Sequence, residues 1–238
     1  YPLDGDAHES SGNQEDGVLI NVSETHNRFG AAGSAVALLG DNAYVDLGLE
    51  GHAMLGATDT LTLSFWAHPD GDYGAPLTKY QNGSAGSSSW FIEYSESNGY
   101  RFWGNGTSGT PTPQEWPTLC PNSPEGWSHV VVVFQGGTGQ LWMNGDSLCS
   151  SSFPVSSNAG QNLPVLLGRS ECSNGTTCNA FTGSLDDMGM WNRALASEEI
   201  AALFAADEAP LPDYLPADGL LAWYPFNGNA NDESGNGL

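Results

Sequence analysis

Apolar and polar residues alternate clearly in six stretches of the 238-residue chain. These are Leu61–Ala67 (LTLSFWA), Trp90–Tyr94 (WFIEY), Trp127–Gln135 (WSHVVVVFQ), Gln140–Asn144 (QLWMN), Leu163–Gly168 and Phe181–Trp191. A period of two sends successive side chains to opposite faces, and these runs are rich in the β-branched and aromatic residues that suit a pleated, half-buried surface. Gly136-Gly137-Thr138-Gly139 and Asn144-Gly145 supply hairpin turns, because glycine and asparagine take positive φ at little cost. One segment has a helical period: Ser197 is expected to cap Glu198-Glu199-Ile200-Ala201-Ala202-Leu203-Phe204, with two acids at the positive end of the dipole. Many strands and one short late helix predict an all-β sandwich, not an α/β enzyme. Trp66, Phe134 and Trp191 are assigned to its core.

The two ends of the chain repeat one another. Residues 1–13 read YPLDGDAHESSGN and residues 224–236 read YPFNGNANDESGN, with seven of 13 positions identical. Self-similarity at long period predicts a tandem array. The stretch 209–216 (APLPDYLP) cannot continue a helix or pair in a sheet and reads as a stiff spacer. The expected organisation is therefore a sandwich over 1–206, a Pro-rich linker over 207–218, and the first strand of a following repeat over 219–238. Upstream of the second motif lies Gly-Leu-Leu-Ala-Trp (219–223), a strand that the first motif lacks. Residues 219–226 are expected to pair with an open sheet edge, in this chain or a neighbouring one.

Composition agrees with a cored β domain: 39% hydrophobic, 11% aromatic, 31 glycines and 14 prolines. The charge is extreme, with 28 Asp and Glu against five Lys and Arg, net −23. Arg28, Lys79, Arg101, Arg169 and Arg193 are too few and too scattered to grip phosphates, which excludes nucleic acid and anionic membrane surfaces as partners. Solvated surface acids and Ca²⁺-binding carboxylates remain as readings of the excess. Cys120, Cys149, Cys172 and Cys178 allow three pairings. Cys172 and Cys178 flank a short Ser-Asn-Gly-Thr-Thr loop that a disulfide could clip, which leaves Cys120 with Cys149. An even count in an acidic, Gly-rich chain reads as oxidised and so secreted or on the cell surface. No apolar run is long enough for membrane insertion. Asn21, Asn82, Asn105 and Asn174 lie in Asn-x-Ser/Thr sequons.

Blocks along the chain then show a family likeness. They are the opening YP-x-[DN]-G-[DN]-A…SGN, LLGDNAYVDL (38–47), LTLSFWAHP (61–69), PLTKY (76–80), EGWSHVVVVF (125–134), LWMNGD (141–146), LLGR (166–169) and FTGSLDDMGMWNRALASEEI (181–200). In order and spacing these resemble the bacterial laminin-G-like domains and their pentraxin relatives from Tyr1 to Phe204. The resemblance implies a concanavalin A-like, laminin-G-like jelly-roll β-sandwich with one short C-terminal helix. That fold hosts lectins, adhesion modules, enzymes and spacers alike.

Catalysis is not expected. The alternating acids of a glycosidase strand are missing, and Asp186 and Asp187, being adjacent, are expected to face opposite ways. The five histidines are scattered, and His129 reads as structural. For calcium, the Gly-punctuated acidic segment 4–13 offers suitable oxygens. The resemblance implies a structural ion tying the first segment to the last strand, with Asp4, Glu9, Asn13 and Asp186 as ligands. The alternative is a solvated Asx-turn with Asp186 hydrogen-bonding to it. Likeness to pentraxins points to the loops after PLTKY and LLGR, hence Asn82 and Glu171, although the acidic cluster of that family is largely absent. Sugar stacking would use exposed rings, with Tyr100, Trp103 and Trp116 as candidates and core packing as the alternative. The expected function is a non-catalytic, Ca²⁺-stabilised module binding a glycan or glycoprotein, beside neighbouring domains of the same polypeptide. The alternatives are a spacer repeat without a ligand and a protein- or peptide-interaction module.

Overall fold

The alternating runs pair with one another edge to edge. The computed structural model describes residues 17–40, 42–47, 60–82, 90–104, 126–152, 163–172, 174–205, 219–224 and 234. In chain order the first strands are β1 (Val18–Ile20), β2 (Ser23–His26), β3 (Ala32–Leu38), β4 (Tyr44–Asp46), β5 (Thr60–Pro69), β6 (Tyr73–Lys79), β7 (Gln81–Asn82), β8 (Trp90–Ser95) and β9 (Gly99–Gly104). They are followed by β10 (Ser128–Gln135), β11 (Thr138–Met143), β12 (Asp146–Ser152), β13 (Leu166–Leu167), β14 (Ser170–Cys172), β15 (Thr177–Cys178), β16 (Gly183–Trp191), the helix α1 (Ser197–Phe204) and β17 (Leu220–Tyr224).

An eight-stranded sheet runs β12-β11-β10-β5-β16-β3-β2, with β17 also paired to β16. A six-stranded sheet runs β1-β4-β13-β6-β8-β9, and a small third sheet runs β15-β14-β7. Between the two large sheets Leu63, Phe65, Val130, Val132, Leu185 and Met190 meet Val45, Leu77, Ile92, Tyr100, Phe102 and Leu167 in one buried cluster. Each such side chain contributes about 1.5–3 kcal/mol on leaving water. The architecture is the sandwich expected from the pattern.

A second apolar layer lies on the other face of the eight-stranded sheet. Val131, Val133, Trp191, Leu220 and Trp223 pack there against Leu195, Ile200 and Leu203. Alternation places Thr62, Ser64 and Trp66 of β5 on that face too, opposite the Leu63–Phe65 set. Trp66 and Trp191 are buried as expected, but under the helix and not between the sheets. A strand buried on both faces still alternates, so its pattern does not say which layer holds which residue.

The helix start differs from expectation. Ala196, not Ser197, is the N-cap. The Glu199 carboxylate accepts the Ala196 N–H at 2.8 Å and is itself held by Arg193 at 2.7 and 2.8 Å. The Glu199 N–H, which a capping hydroxyl would otherwise take, donates to Ala196 O at 3.1 Å. The Leu163–Gly168 run yields only the two-residue β13, because Pro164 has no N–H to pair. Gly74 permits the closest backbone approach. A Cβ there would lie 2.4 Å from Phe181 Cα, so β6 can lie directly on the segment leading into β16, where the Ala75 N–H donates to Asn179 O at 2.8 Å.

Candidate ligand rim and the buried arginine cluster

Two constellations hold polar chemistry, one on each large sheet. The first is at the rim of the six-stranded sheet. β14 and β15 form a hairpin clipped by the Cys172–Cys178 disulfide. β14 lies parallel to β7 with Glu171 opposite Gln81 and Cys172 opposite Asn82. The expected Glu171 and Asn82 positions are thereby brought onto neighbouring strands from opposite halves of the chain, one register step apart; of Asn82 only the backbone register is described.

Arg169 anchors this rim. Its guanidinium lies 3.7 Å over the Tyr44 ring, its Nη1 donates to Thr177 Oγ1 at 2.9 Å, and its Nη2 lies 3.6 Å from Glu171 Oε1. Behind it Asn179 Nδ2 donates to Ser170 Oγ at 2.9 Å, and Tyr73 Oη donates to Asn179 Oδ1 at 3.2 Å. The Glu171 carboxylate stays about one-third exposed at 33%, so it is placed yet still open to a ligand.

The outer face of the sheet beside the rim adds rings and a charge pair. Tyr80 stacks on Phe91 with centroids 5.3 Å apart, and Arg101 donates to the buried Glu93 across the β8–β9 pair. Burial, then the nearby Glu93 carboxylate, holds the Tyr73 hydroxyl above its ordinary pKa, so it stays a neutral donor. Trp103 is opposite Phe91 in register, and its side chain lies outside the described residues. Tyr100 does not belong to this face. It is fully buried between the sheets, edge-to-face with Phe65 at 6.3 Å, so it cannot present a ring to a sugar. Its neighbour Arg101 took the outward position because the pleat alternates. Trp116 lies outside the described residues.

The second constellation is on the helix side. Asn27 shapes the turn after β2 by accepting the Phe29 and Ala31 N–H groups, both at 3.0 Å, and so aims Arg28 across the sheet. The Arg28 guanidinium lies 4.4 Å from the Phe29 ring and 4.4 Å from the Trp66 ring. Its Nη1 donates to Asp186 Oδ2 at 3.1 Å and to Asp187 Oδ2 at 2.6 Å. The two acids do not face opposite ways, because β16 has a register shift between Asp186 and Gly189 and Asp187 sits at φ 47°. Such a bulge turns adjacent side chains to one side. Alternation cannot reveal that.

One guanidinium between two buried carboxylates leaves an excess negative charge. Burial, then the Asp187 charge, raises the Asp186 pKa to about 8, against the lowering effect of Arg28. Nearby His129 is wholly buried, with Nε2 2.8 Å from Ser64 Oγ and its ring 5.2 Å from Trp66. Burial, then the Arg28 charge, lowers its pKa to about 3. The two shifts act oppositely on folding. Asp186 binds a proton more tightly when folded, so its contribution is full below about pH 4 and is lost as pH rises to about 8. His129 binds one less tightly when folded, so its contribution is full above about pH 6.5 and is lost as pH falls towards about 3. Burial raises the Asp187 pKa as well, against Arg28, so two acids oppose one histidine and stability should be greatest near about pH 4 and fall on both sides. Urea unfolding on both sides of that maximum checks it. Asp187→Asn should raise stability near pH 8 by about 1 kcal/mol, since asparagine tolerates φ 47° and removes the like charge. An unchanged alkaline limb in that variant would contradict this account.

Asp186, expected as a calcium ligand, is thus held by arginine. Asp4, Glu9 and Asn13 lie outside the described residues, and among the described residues no three His, Cys, Asp or Glu side chains cluster as a metal site. Cys149 is disulfide-bonded, and its expected partner Cys120 lies outside the described residues. Sequence reasoning missed Arg28, Arg169 and Tyr44. The signal available was that the chain has only five strong cations, so each one placed in a β domain is worth pairing with an acid.

Two packed sheets, a small third sheet beside one of them and a helix on the outer face of the larger define a concanavalin A-like jelly-roll sandwich. The chain belongs to the concanavalin A-like lectin/glucanases superfamily, whose laminin-G-type model matches residues 39–201. It is 30% identical over 107 residues to Jeltraxin of Lepidobatrachus laevis, a match covering 43% of this chain and 47% of that protein. Against a putative mucosal pentraxin homolog of Homo sapiens it is 28% identical over 89 residues, 35% of this chain and 65% of that protein. The chain spans less than two thirds of either relative's length. Domain 4 of AbnA, a GH43 extracellular arabinanase from Geobacillus stearothermophilus solved in complex with arabinotriose, superposes with TM-score 0.52 at 14% identity, over 79% of this chain and 87% of that domain. That likeness is one of fold.

Proposed function

We propose that this domain is an extracellular, non-catalytic module that binds a glycan or the glycan of a glycoprotein at the rim formed by β7, β14 and β15. The observation that supports this reading is the partly exposed Glu171 on a disulfide-clipped hairpin, braced by Arg169 and paired alongside β7, the strand that carries Asn82. A partly exposed carboxylate, an amide position and neighbouring rings are what sugar hydroxyls and pyranose faces require. The arabinotriose-bound relative of similar fold supports the same ligand class. The disulfides support an oxidising compartment. No helix among the described residues is long and apolar enough to cross a membrane.

The test is a glycan array followed by titration of the strongest hit. Glu171→Ala and Asn82→Ala are each expected to weaken binding about tenfold, equivalent to about 1.4 kcal/mol, with melting temperature unchanged. A hit whose affinity ignores both variants would move the site elsewhere. An array without hits would favour a spacer.

Calcium enters this reading through the acidic segment bearing Asp4, Glu9 and Asn13. Asp186 does not fit an ion, because Oδ2 accepts from Arg28, Oδ1 accepts the Asp187 N–H at 2.9 Å, and the guanidinium already stands as counter-ion. Added calcium is therefore expected to raise the melting temperature reversibly, by the same amount in Asp186→Asn as in the unaltered chain. A gain that vanishes in Asp186→Asn would return Asp186 to the ligand set.

A further inference from the structure

We propose that β17 is an exchangeable strand, and that the groove it fills beside β16 can join two copies of this chain by taking the strand of one into the sandwich of the other. β16 is flanked by β3 only along Gly183–Leu185. Beyond the bulge, Met188–Trp191 pairs with β17 on that same side. Without β17 this would be an open edge with apolar residues on both faces, which recruits a strand.

The fit of β17 is complete. All five of its residues are at most 7% exposed. Leu221, Ala222 and Tyr224 enter the core between the sheets, while Leu220 and Trp223 join the layer under α1. Gly219 O accepts the Asn192 N–H at 2.8 Å, which sets the register at one end. Among the described residues, β17 pairs with β16 alone.

The sequence supplies the second observation. Tyr224 opens the motif that repeats residues 1–13, with Tyr224 matching Tyr1 and Ser234 matching Ser11. Tyr224 is fully buried, and Ser234 Oγ donates to Leu221 O at 3.2 Å. The motif thus occurs twice in the chain, and one of its occurrences is joined to a strand seated in the groove. The piece that fits, described over residues 219–224 and at Ser234, is the transferable segment. Between α1 and β17 run residues 206–218, which include Pro210, Pro212 and Pro216. Thirteen residues reach at most about 45 Å, enough to serve the same sandwich or an adjacent one. The contacts made in the closed and exchanged forms are the same, so linker strain and local concentration decide between them. The fitting partner is a second copy of this chain or of its repeat.

Two experiments on the full chain test this. In the first, the unaltered chain is warmed below its melting temperature with an excess of a synthetic peptide spanning residues 217–236, then weighed by native mass spectrometry. The expected shift is the mass of one peptide, absent when the peptide carries Leu221→Asp and Trp223→Asp. In the second, a Met190→Cys chain is mixed with an Ala222→Cys chain under oxidising conditions, since these positions face each other across the β16–β17 pair. A covalent dimer is expected, and the double variant in one chain should close its own bond. No peptide uptake overturns the proposal. So does the absence of mixed dimers where the double variant closes; where it does not close, the peptide result decides.

Discussion

Replacing Trp191 with alanine is expected to cost about 3–5 kcal/mol, the range for emptying a buried tryptophan site. Trp191 is completely buried and forms the floor of the layer under the helix. Its ring lies directly on Gly189, where a Cβ would come within 2.4 Å of Cη2, so the residue beneath it has no side chain to fill the vacated space. Leu195, Ile200 and Leu203 on one side and Leu220 and Trp223 on the other would lose their common support. A helix of eight residues has little stability without tertiary packing. The variant should thus unfold at lower denaturant in equilibrium experiments, and amide exchange in α1 and β17 should quicken more than in β10. Uniform exchange across the sheet would show that these elements are not anchored by the tryptophan.

Arg28→Met is expected to cost a comparable amount, about 3–5 kcal/mol at neutral pH, because it leaves the negative charge held by the buried Asp186–Asp187 pair without its counter-ion. Asp186 and Asp187 carry side chains only 3% and 21% exposed, so water cannot replace the guanidinium well. Methionine keeps much of the stem volume between Phe29 and Trp66, which separates charge loss from packing loss. The sign of the pH dependence identifies the cause. With Arg28 gone the acids can be tolerated only protonated, so the loss should shrink as pH falls towards about 4. Asp187→Asn in the same chain should recover part of it. A loss independent of pH would mean that the arginine acts by packing alone.

How legible the protein was in its sequence differs from element to element. β5, β8, β10, β11 and β16 were visible because strong alternation is a local property of a few residues. The Asn144-Gly145 turn was visible for the same reason, and Asn144 takes φ 52° there. β3, β6, β9 and β12 were not singled out, since glycines, prolines and serines interrupt their pattern, and β9 and β12 are edge strands with one partner each. The rim positions Asn82 and Glu171 came from family likeness, and their meeting on one small sheet depends on the parallel pairing of β7 with β14. Tyr100 was misplaced as a ligand residue because a ring beside a glycine-rich turn looks exposed until the pleat is known.

Sequence by itself determined the all-β class, the turn chemistry, the disulfide-clipped loop and the repeated motif, all of which depend on near neighbours along the chain. Only the tertiary structure decided which face each alternating residue takes, that Arg28 stands between Asp186 and Asp187, and that Leu220–Tyr224 completes the sheet beside β16. The physical reason is that register, bulges and ion pairing join residues far apart in the chain, and a shift of one residue in any strand would send each of these side chains to the opposite face.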